Sequence, residues 1–296
     1  MQGLPIPKGL HDGTLVYMTT TDQTNELRVP PIGFGMWDDV AQTVKNAGGR
    51  PLDPDIDRDA SQLAALHQAI NLGYRHFDTA EMYAAGHSET ILGRALLEQE
   101  RSDFVITSKV SADNLAYDDL LAACDRSLDR LQTRYIDMYL IHWPNPEIPL
   151  AESFRALNHL VNVGKIRHIG VSNFGVSLLE QAVQLCETHL ATNQVHYGLL
   201  YKKPQEDGTL KFCQENNVVL TAYAPLRGGV FTHQTVLEIA ERISATPSQV
   251  ALNWLISQPG VITIPHSSNE QRQKDNLEAI NVQLSEADVQ RLDTLE

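Results

Sequence analysis

Short apolar runs and amphipathic stretches alternate along this chain once its first sixty or so residues are passed. The strand-like runs, among them VITSKV, DMYLIHW and VVLTAYAPL, are apolar at consecutive positions rather than at every second one. Such runs suit strands buried on both faces, as in a parallel sheet. They predict strands at 32–36, 76–80, 104–110, 136–142, 168–173, 192–196, 218–225 and 261–265. Helical patterns fall between them, at 61–72 with Asp59 as N-cap, then 88–98, 116–131, 150–163, 176–186 and 204–216. A helical crossover between every pair of strands implies parallel pairing. Eight βα units in one chain favour a closed barrel over an open sheet. The predicted fold is therefore of the α/β class, a (β/α)8 TIM barrel read as a single domain over 1–296.

Three features interrupt the alternation. Residues 14–20 and 26–29, joined across TDQTN, predict a β-hairpin within an N-terminal segment of 1–30, placed to plug one end of the barrel. Two extra helices are predicted, one at 233–245 preceding 247–257 and one at 286–295. An insertion at 39–58 follows the first strand. Its aspartates at 53, 55 and 57 have the spacing that opens a calcium loop, but Arg58 stands where glycine is needed and Ala64 where the bidentate glutamate belongs. A solvated acidic loop is the expectation there.

Composition narrows the function classes. Of 296 residues, 42% are hydrophobic and 20% charged, enough for a large core. A net charge of −14 disfavours nucleic acid and anionic membrane as partners. No run approaches the roughly 20 apolar residues of a membrane span, and no targeting segment is recognisable at the N-terminus. Cys124, Cys186 and Cys213 are odd in number and form no CxxC. Reduced cysteines in a cytoplasmic protein are expected.

The candidate chemistry lies at strand ends, where a β/α barrel carries its catalytic groups. Asp78 closes the second strand in HFDTA, and Tyr83 lies five residues further on. Lys109 closes the third strand and His142 the fourth. Singly, such residues are more often a cap, a solvent-reaching lysine, a packed tyrosine or a satisfied core histidine. As a set they arrive in order at consecutive strand ends.

The stretches GFGMW, GYRHFDTAEMY, ITSKV, YLIHWP, GKIRHIGVSNF, NQVHY, TAYAPL and IPHSS carry a resemblance to the aldo-keto reductases over nearly the whole chain. That resemblance implies reduction of aldehydes and ketones by hydride transfer from a nicotinamide, with a small carbonyl substrate, no metal and a monomeric enzyme. It casts Tyr83 as general acid, Lys109 as the ammonium that lowers the tyrosine pKa, Asp78 as the partner of Lys109, and His142 as the donor that orients the carbonyl. It casts Ser172, Asn173 and Gln194 as carboxamide contacts and Tyr223 as the ring that stacks on nicotinamide, with Leu226 and Arg227 along the pyrophosphate. Trp37 and Trp143 would wall the substrate pocket. The doubly wound dinucleotide fingerprint is absent, since Gly33 and Gly35 lack the third glycine and its strand–helix context.

The chain departs from the family pattern in the eighth-strand motif, where a lysine usually helps hold the 2′-phosphate of NADP. His266 stands in its place, with Ser267 and Arg272 retained and Asp275 and Asn276 at the expected adenine contacts. Histidine titrates at about 6.5, so NADP(H) is expected to be preferred over NAD(H) less strongly than with lysine, and more strongly at low pH. Ending at Glu296, the chain has no long tail over the pocket, which predicts broad carbonyl specificity. Two alternatives stay open: a cofactor-binding regulatory barrel without turnover, and a metal-dependent barrel hydrolase. No HxH ends the first strand to support the latter.

Overall fold

The computed structural model describes residues 16–18, 27–37 and 56–295. The predicted turn TDQTN and residues 39–55 of the insertion lie outside them. A hairpin opens the described chain, β1 (Val16–Met18) pairing antiparallel with β2 (Leu27–Val29). The barrel strands follow: β3 (Phe34–Gly35), β4 (His76–Asp78), β5 (Val105–Val110), β6 (Ile136–Ile141), β7 (Ile166–Ser172), β8 (Leu190–His196), β9 (Val219–Tyr223) and β10 (Val261–Thr263). Each pairs parallel with the next in chain order. A parallel bridge between Ile32 and Thr263 joins the first to the last. Three backbone bonds tighten that seam, Gly33 N to Thr263 O, Thr263 N to Pro31 O and Gly35 N to Pro265 O. The barrel is closed, as the eight βα units predicted.

Closure depends on the paired glycines of GFG. A Cβ on Gly33 would lie 2.5 Å from Nδ1 of His76, and one on Gly35 would lie 2.5 Å from the carbonyl oxygen of Ile264. Any side chain at either position would hold the first strand off its neighbours.

Helices pack outside the strands: α1 (Ile56–Leu72), α2 (His87–Leu96), α3 (Tyr117–Leu131), α4 (Leu150–Asn162), α5 (Val176–Leu185), α6 (Lys203–Glu206), α7 (Thr209–Glu215), α8 (Gln234–Arg242), α9 (Pro247–Ile256), α10 (Glu270–Glu278) and α11 (Glu286–Asp293). In α3 the buried positions 120, 123, 124, 127, 128 and 131 recur at helical spacing. Capping boxes at Thr246 and Ser285 start α9 and α11, satisfying amide groups that a helix start leaves open. The two extra helices are α8 and α11.

Two helix expectations are corrected. α1 is already helical at Ile56, so Asp59 is no N-cap. It lies in the first turn, with its carboxylate 2.8 Å from His87 Nε2 and 3.1 Å from Arg94 Nη1, tying α1 to α2. The single helix expected at 204–216 is two, α6 and α7, separated at Gly208 with φ of +84°. A left-handed glycine ends one helix and opens the next.

Inside the barrel, residues of alternate sequence parity point inward. Val29 of the hairpin is fully buried and packs with Val105, Met138, Leu140, Ala191, Val219 and Ile262. The hairpin therefore seats an apolar side chain at the end of the barrel where the strands begin, opposite the end where Asp78 and Ser172 close theirs. Buried His76 and His168 are held neutral by desolvation, with pKa values lowered to about 3 and about 4.

Candidate active site

Four side chains from consecutive βα units converge at the C-terminal mouth. Lys109, the fifth residue of β5, points inward and is fully buried. Its Nζ donates to Asp78 Oδ1 at 2.6 Å, to the Thr79 carbonyl at 2.8 Å and to the Tyr83 hydroxyl at 3.2 Å. All three acceptors come from β4 and the loop after it, so the pairing of β4 with β5 sets this geometry. The rings of Tyr83 and His142 meet edge-on at 5.5 Å, and Trp37 packs edge-on against Tyr83 at 4.9 Å.

Asp78 has a second partner that the sequence did not disclose. Gln194 Nε2 donates to its Oδ2 at 2.7 Å, so both carboxylate oxygens are engaged. The two residues are 116 positions apart, and only barrel closure brings β8 across from β4. Gln194 is thus committed through its amide nitrogen to Asp78, beyond the carboxamide contact expected of it.

Electrostatics follow from burial. Desolvation raises the Asp78 pKa, opposed by Lys109 and by the Gln194 hydrogen bond. For Lys109 desolvation works against the ammonium, but Asp78 and Tyr83 outweigh it and hold its pKa above the ordinary lysine value. The Tyr83 phenol corrects the sequence expectation. Lys109 does pull its pKa down, yet burial is the larger effect and the net direction is up.

The neighbouring strand ends supply a second cluster. Ser172 Oγ donates to the Gln194 carbonyl at 2.8 Å. Asn173, left-handed with φ of 63°, donates to the His142 carbonyl and to Ser172 Oγ, each at 3.0 Å, and accepts from the Tyr223 hydroxyl at 3.0 Å. His196 stacks on Tyr223 at 5.6 Å and on Tyr201 at 3.9 Å. This backing of Tyr223 escaped the sequence, because a tyrosine five residues beyond a strand end carries no periodic signal.

A cavity of about 470 Å³ collects Trp37, Asp78, Tyr83, His142, Trp143, Ser172, Asn173, Gln194 and Tyr223. It adjoins a groove of about 1090 Å³, the two sharing Met36, Trp37, Leu226, Arg227 and His266. The groove brings in Ser267, Arg272 and Asn276 as expected. Asp275 is not among its lining residues; its carboxylate accepts from Gln271 at 2.8 Å. Arg58, Ser61, Gln62, Ala65 and Leu66 of α1 also line the groove as a helical stripe, of which only Arg58 falls before the expected helix start. Phe231 adds a half-exposed aromatic edge. Among the described residues, no group of three or more His, Cys, Asp or Glu is placed to hold a metal ion, and no helix is long and apolar enough to cross a membrane.

The joined cavities suit an extended dinucleotide: amide and hydroxyl partners beside an aromatic ring at one end, and Arg58, Arg227 and Arg272 along the other. Similarity to known proteins agrees. The chain is 38% identical to a glyoxal reductase of Bacillus subtilis over 235 residues, 78% of this chain and 82% of that protein. The thermostable aldo-keto reductase Tm1743, solved with the inhibitor epalrestat, superposes with a TM-score of 0.85 at 40% identity, covering 95% of this chain and all of that one. An aldo/keto reductase from Klebsiella pneumoniae, solved with NADP and acetate, superposes at 0.79 with 34% identity, covering 90% and 91%. Residues 32–296 match the aldo/keto reductase family as a whole, and the chain belongs to that family.

Proposed function

We propose that this oxidoreductase reduces small aldehydes and ketones, α-dicarbonyls included, to alcohols with NADP(H), and uses NAD(H) less well. When bound, the reduced nicotinamide supplies the hydride. The chain's own residues bind, orient and protonate. Tyr83 gives its proton to the carbonyl oxygen as charge develops there. A neutral phenol is the form this needs, and burial keeps Tyr83 protonated. Lys109 then stabilises the phenolate left behind, through a contact already formed at 3.2 Å. Asp78 holds the ammonium in place, and Gln194 fixes the other oxygen of that carboxylate. His142, edge-on to Tyr83, orients the carbonyl. Ser172, Asn173 and Gln194 hold the carboxamide, and Tyr223, with His196 behind it, supports the nicotinamide ring. Leu226 and Arg227 follow the pyrophosphate, while His266, Ser267, Arg272 and Asn276 receive the adenosine end.

The observation that carries this reading is the buried chain from Asp78 through Lys109 to the Tyr83 hydroxyl, at 2.6 and 3.2 Å. Broad specificity is supported by Trp143, which at 49% exposed forms an open aromatic side of the pocket. The test is Tyr83→Phe. NADPH binding should persist, and turnover of glyoxals and aromatic aldehydes should fall by roughly 10²–10⁴-fold. Undiminished turnover would remove Tyr83 as the acid.

A further inference from the structure

A buried carboxylate on the outer side of the barrel wall takes no part in the chemistry described above. Glu89, in the first turn of α2, is fully buried. Its Oε1 accepts from the Ser108 hydroxyl at 2.5 Å, and its Oε2 accepts from Nε of Arg130, on α3, at 2.6 Å. Successive residues of a strand face opposite sides, so Ser108 looks out of the barrel where its neighbour Lys109 looks in. The two residues before Glu89 hold the catalytic segment as well. His87 donates its backbone N–H to the carbonyls of Tyr83 and Ala84. Ser88 Oγ accepts from the Thr79 hydroxyl at 3.1 Å, and the Thr79 carbonyl is itself an acceptor for Lys109. Three consecutive residues of one helical turn thus touch Tyr83, an acceptor of Lys109, and the strand neighbour of Lys109.

We propose that Glu89 is a positioning residue for proton transfer: by tying the start of α2 to the outer face of β5, it sets the spacing between the Tyr83 hydroxyl and the Lys109 ammonium. The inference rests on the reading of Tyr83 as general acid in the previous section. The loop between Tyr83 and α2 is what requires such a tie. Ala84, Ala85 and Gly86 are left-handed in succession, with φ of 50°, 54° and 89°. Alanine disfavours that region, and strained backbone persists only where its surroundings over-determine it.

The surroundings supply that constraint from two sides. Arg130 lies against the loop itself, since a Cβ on Gly86 would come within 2.7 Å of its Nε. The same nitrogen holds Glu89, so α3 fixes the loop and the carboxylate together. Ser108 then fixes the carboxylate to β5. The 3.2 Å between Tyr83 and Lys109 is therefore a distance between two groups carried by one tied unit. Without the Ser108 hydroxyl, α2 keeps its ion pair with Arg130 and loses its tie to β5. The left-handed residues are then free to relax, which moves the phenol off the ammonium. Asp78 is held independently, by Lys109 and Gln194. The proposed cofactor contacts come from β7 onwards, so nucleotide affinity is separable from this effect.

The test uses Ser108→Ala, which removes one hydroxyl and keeps the Glu89–Arg130 pair. Arg242→Met, which breaks an ion pair between α8 and α11, controls for general loss of stability. In Ser108→Ala, kcat for carbonyl reduction should fall roughly ten- to a hundredfold, while the NADPH dissociation constant stays as it was. In the same variant without nucleotide, amide hydrogen exchange across 83–90 should quicken by about tenfold. Ser108→Thr, which returns the hydroxyl, should recover most of both losses, and Arg242→Met should show neither. Unchanged kcat or exchange in Ser108→Ala, a matching loss in Arg242→Met, an equal loss of NADPH affinity, or no recovery in Ser108→Thr would each overturn the positioning role. Full turnover in Tyr83→Phe would remove the acid and this role with it. An inactive Tyr83→Phe beside an unaffected Ser108→Ala would sink the positioning role alone.

Discussion

The two ends of the long groove solve opposite electrostatic problems. At the catalytic end, Lys109 and Asp78 are both fully buried, and each charged group is matched by protein partners. At the end proposed for adenosine, arginines and a histidine face the groove, and its described lining holds no carboxylate. The first arrangement is complete before any ligand arrives, because an unmatched charge there would cost several kcal/mol. Under the proposed assignment the second is completed by the ligand's own phosphates. Substitutions at the first end should therefore damage folding and chemistry together, and substitutions at the second should change affinity alone.

The sharpest way to break that contrast is Asp78→Asn. It leaves a buried ammonium without its counter-charge, and should cost about 3–5 kcal/mol of stability, measured by urea unfolding. A loss under about 1 kcal/mol would mean that Lys109 can discharge or reach water. Lys109→Met removes the ammonium and leaves the buried Asp78 carboxyl without its counter-charge. Turnover should fall by roughly 10²–10⁴-fold, in carbonyl reduction and in alcohol oxidation alike. The sign follows from Tyr83, whose pKa burial raises and Lys109 lowers. Without the ammonium the phenol keeps its proton to still higher pH and the phenolate loses its counter-charge, which weakens the acid and the base together. A loss of less than about tenfold would reduce Lys109 to a packing role.

At the other end, Arg272→Ala should weaken NADPH about tenfold and NADH little, with stability changed by less than about 0.5 kcal/mol. Cofactor titration and thermal unfolding read the two quantities separately. The smallest effect is expected in the loop after Tyr83. Ala84 and Ala85 are both left-handed, with φ of 50° and 54°, followed by Gly86 at 89°. Side chains disfavour that region, so Ala85→Gly should raise stability by up to about 1 kcal/mol, seen as a higher Tm with turnover kept.

Much of this was legible in the chain itself. VITSKV and YLIHWP read as buried parallel strands because unalternating apolar runs have few other uses, and their polar ends marked Lys109 and His142. The boundaries were less legible. Asp59 looked like a cap because Asp so often is one, yet α1 is helical three residues earlier. That misplacement left Arg58, which lines the groove, outside the expected helix. Glu89 falls in the expected helix 88–98, and Gln273 carries no reading of its own. Both are buried, Glu89 between Ser108 and Arg130, and no local pattern distinguishes a helix residue that faces a polar partner.

What the order of residues determined alone was the alternation of strands and helices, the parallel pairing and the strand ends from which the chemistry projects, since all three depend on local periodicity and on connection length. Only the closed barrel decided that Gln194 reaches Asp78, that burial rather than Lys109 dominates the Tyr83 phenol, and that the Gly35 carbonyl accepts a hydrogen bond from Nδ1 of His266. Those contacts join positions 116 and 231 residues apart, or depend on how much water is excluded around a group. Neither distance through space nor desolvation is written in any short stretch of sequence.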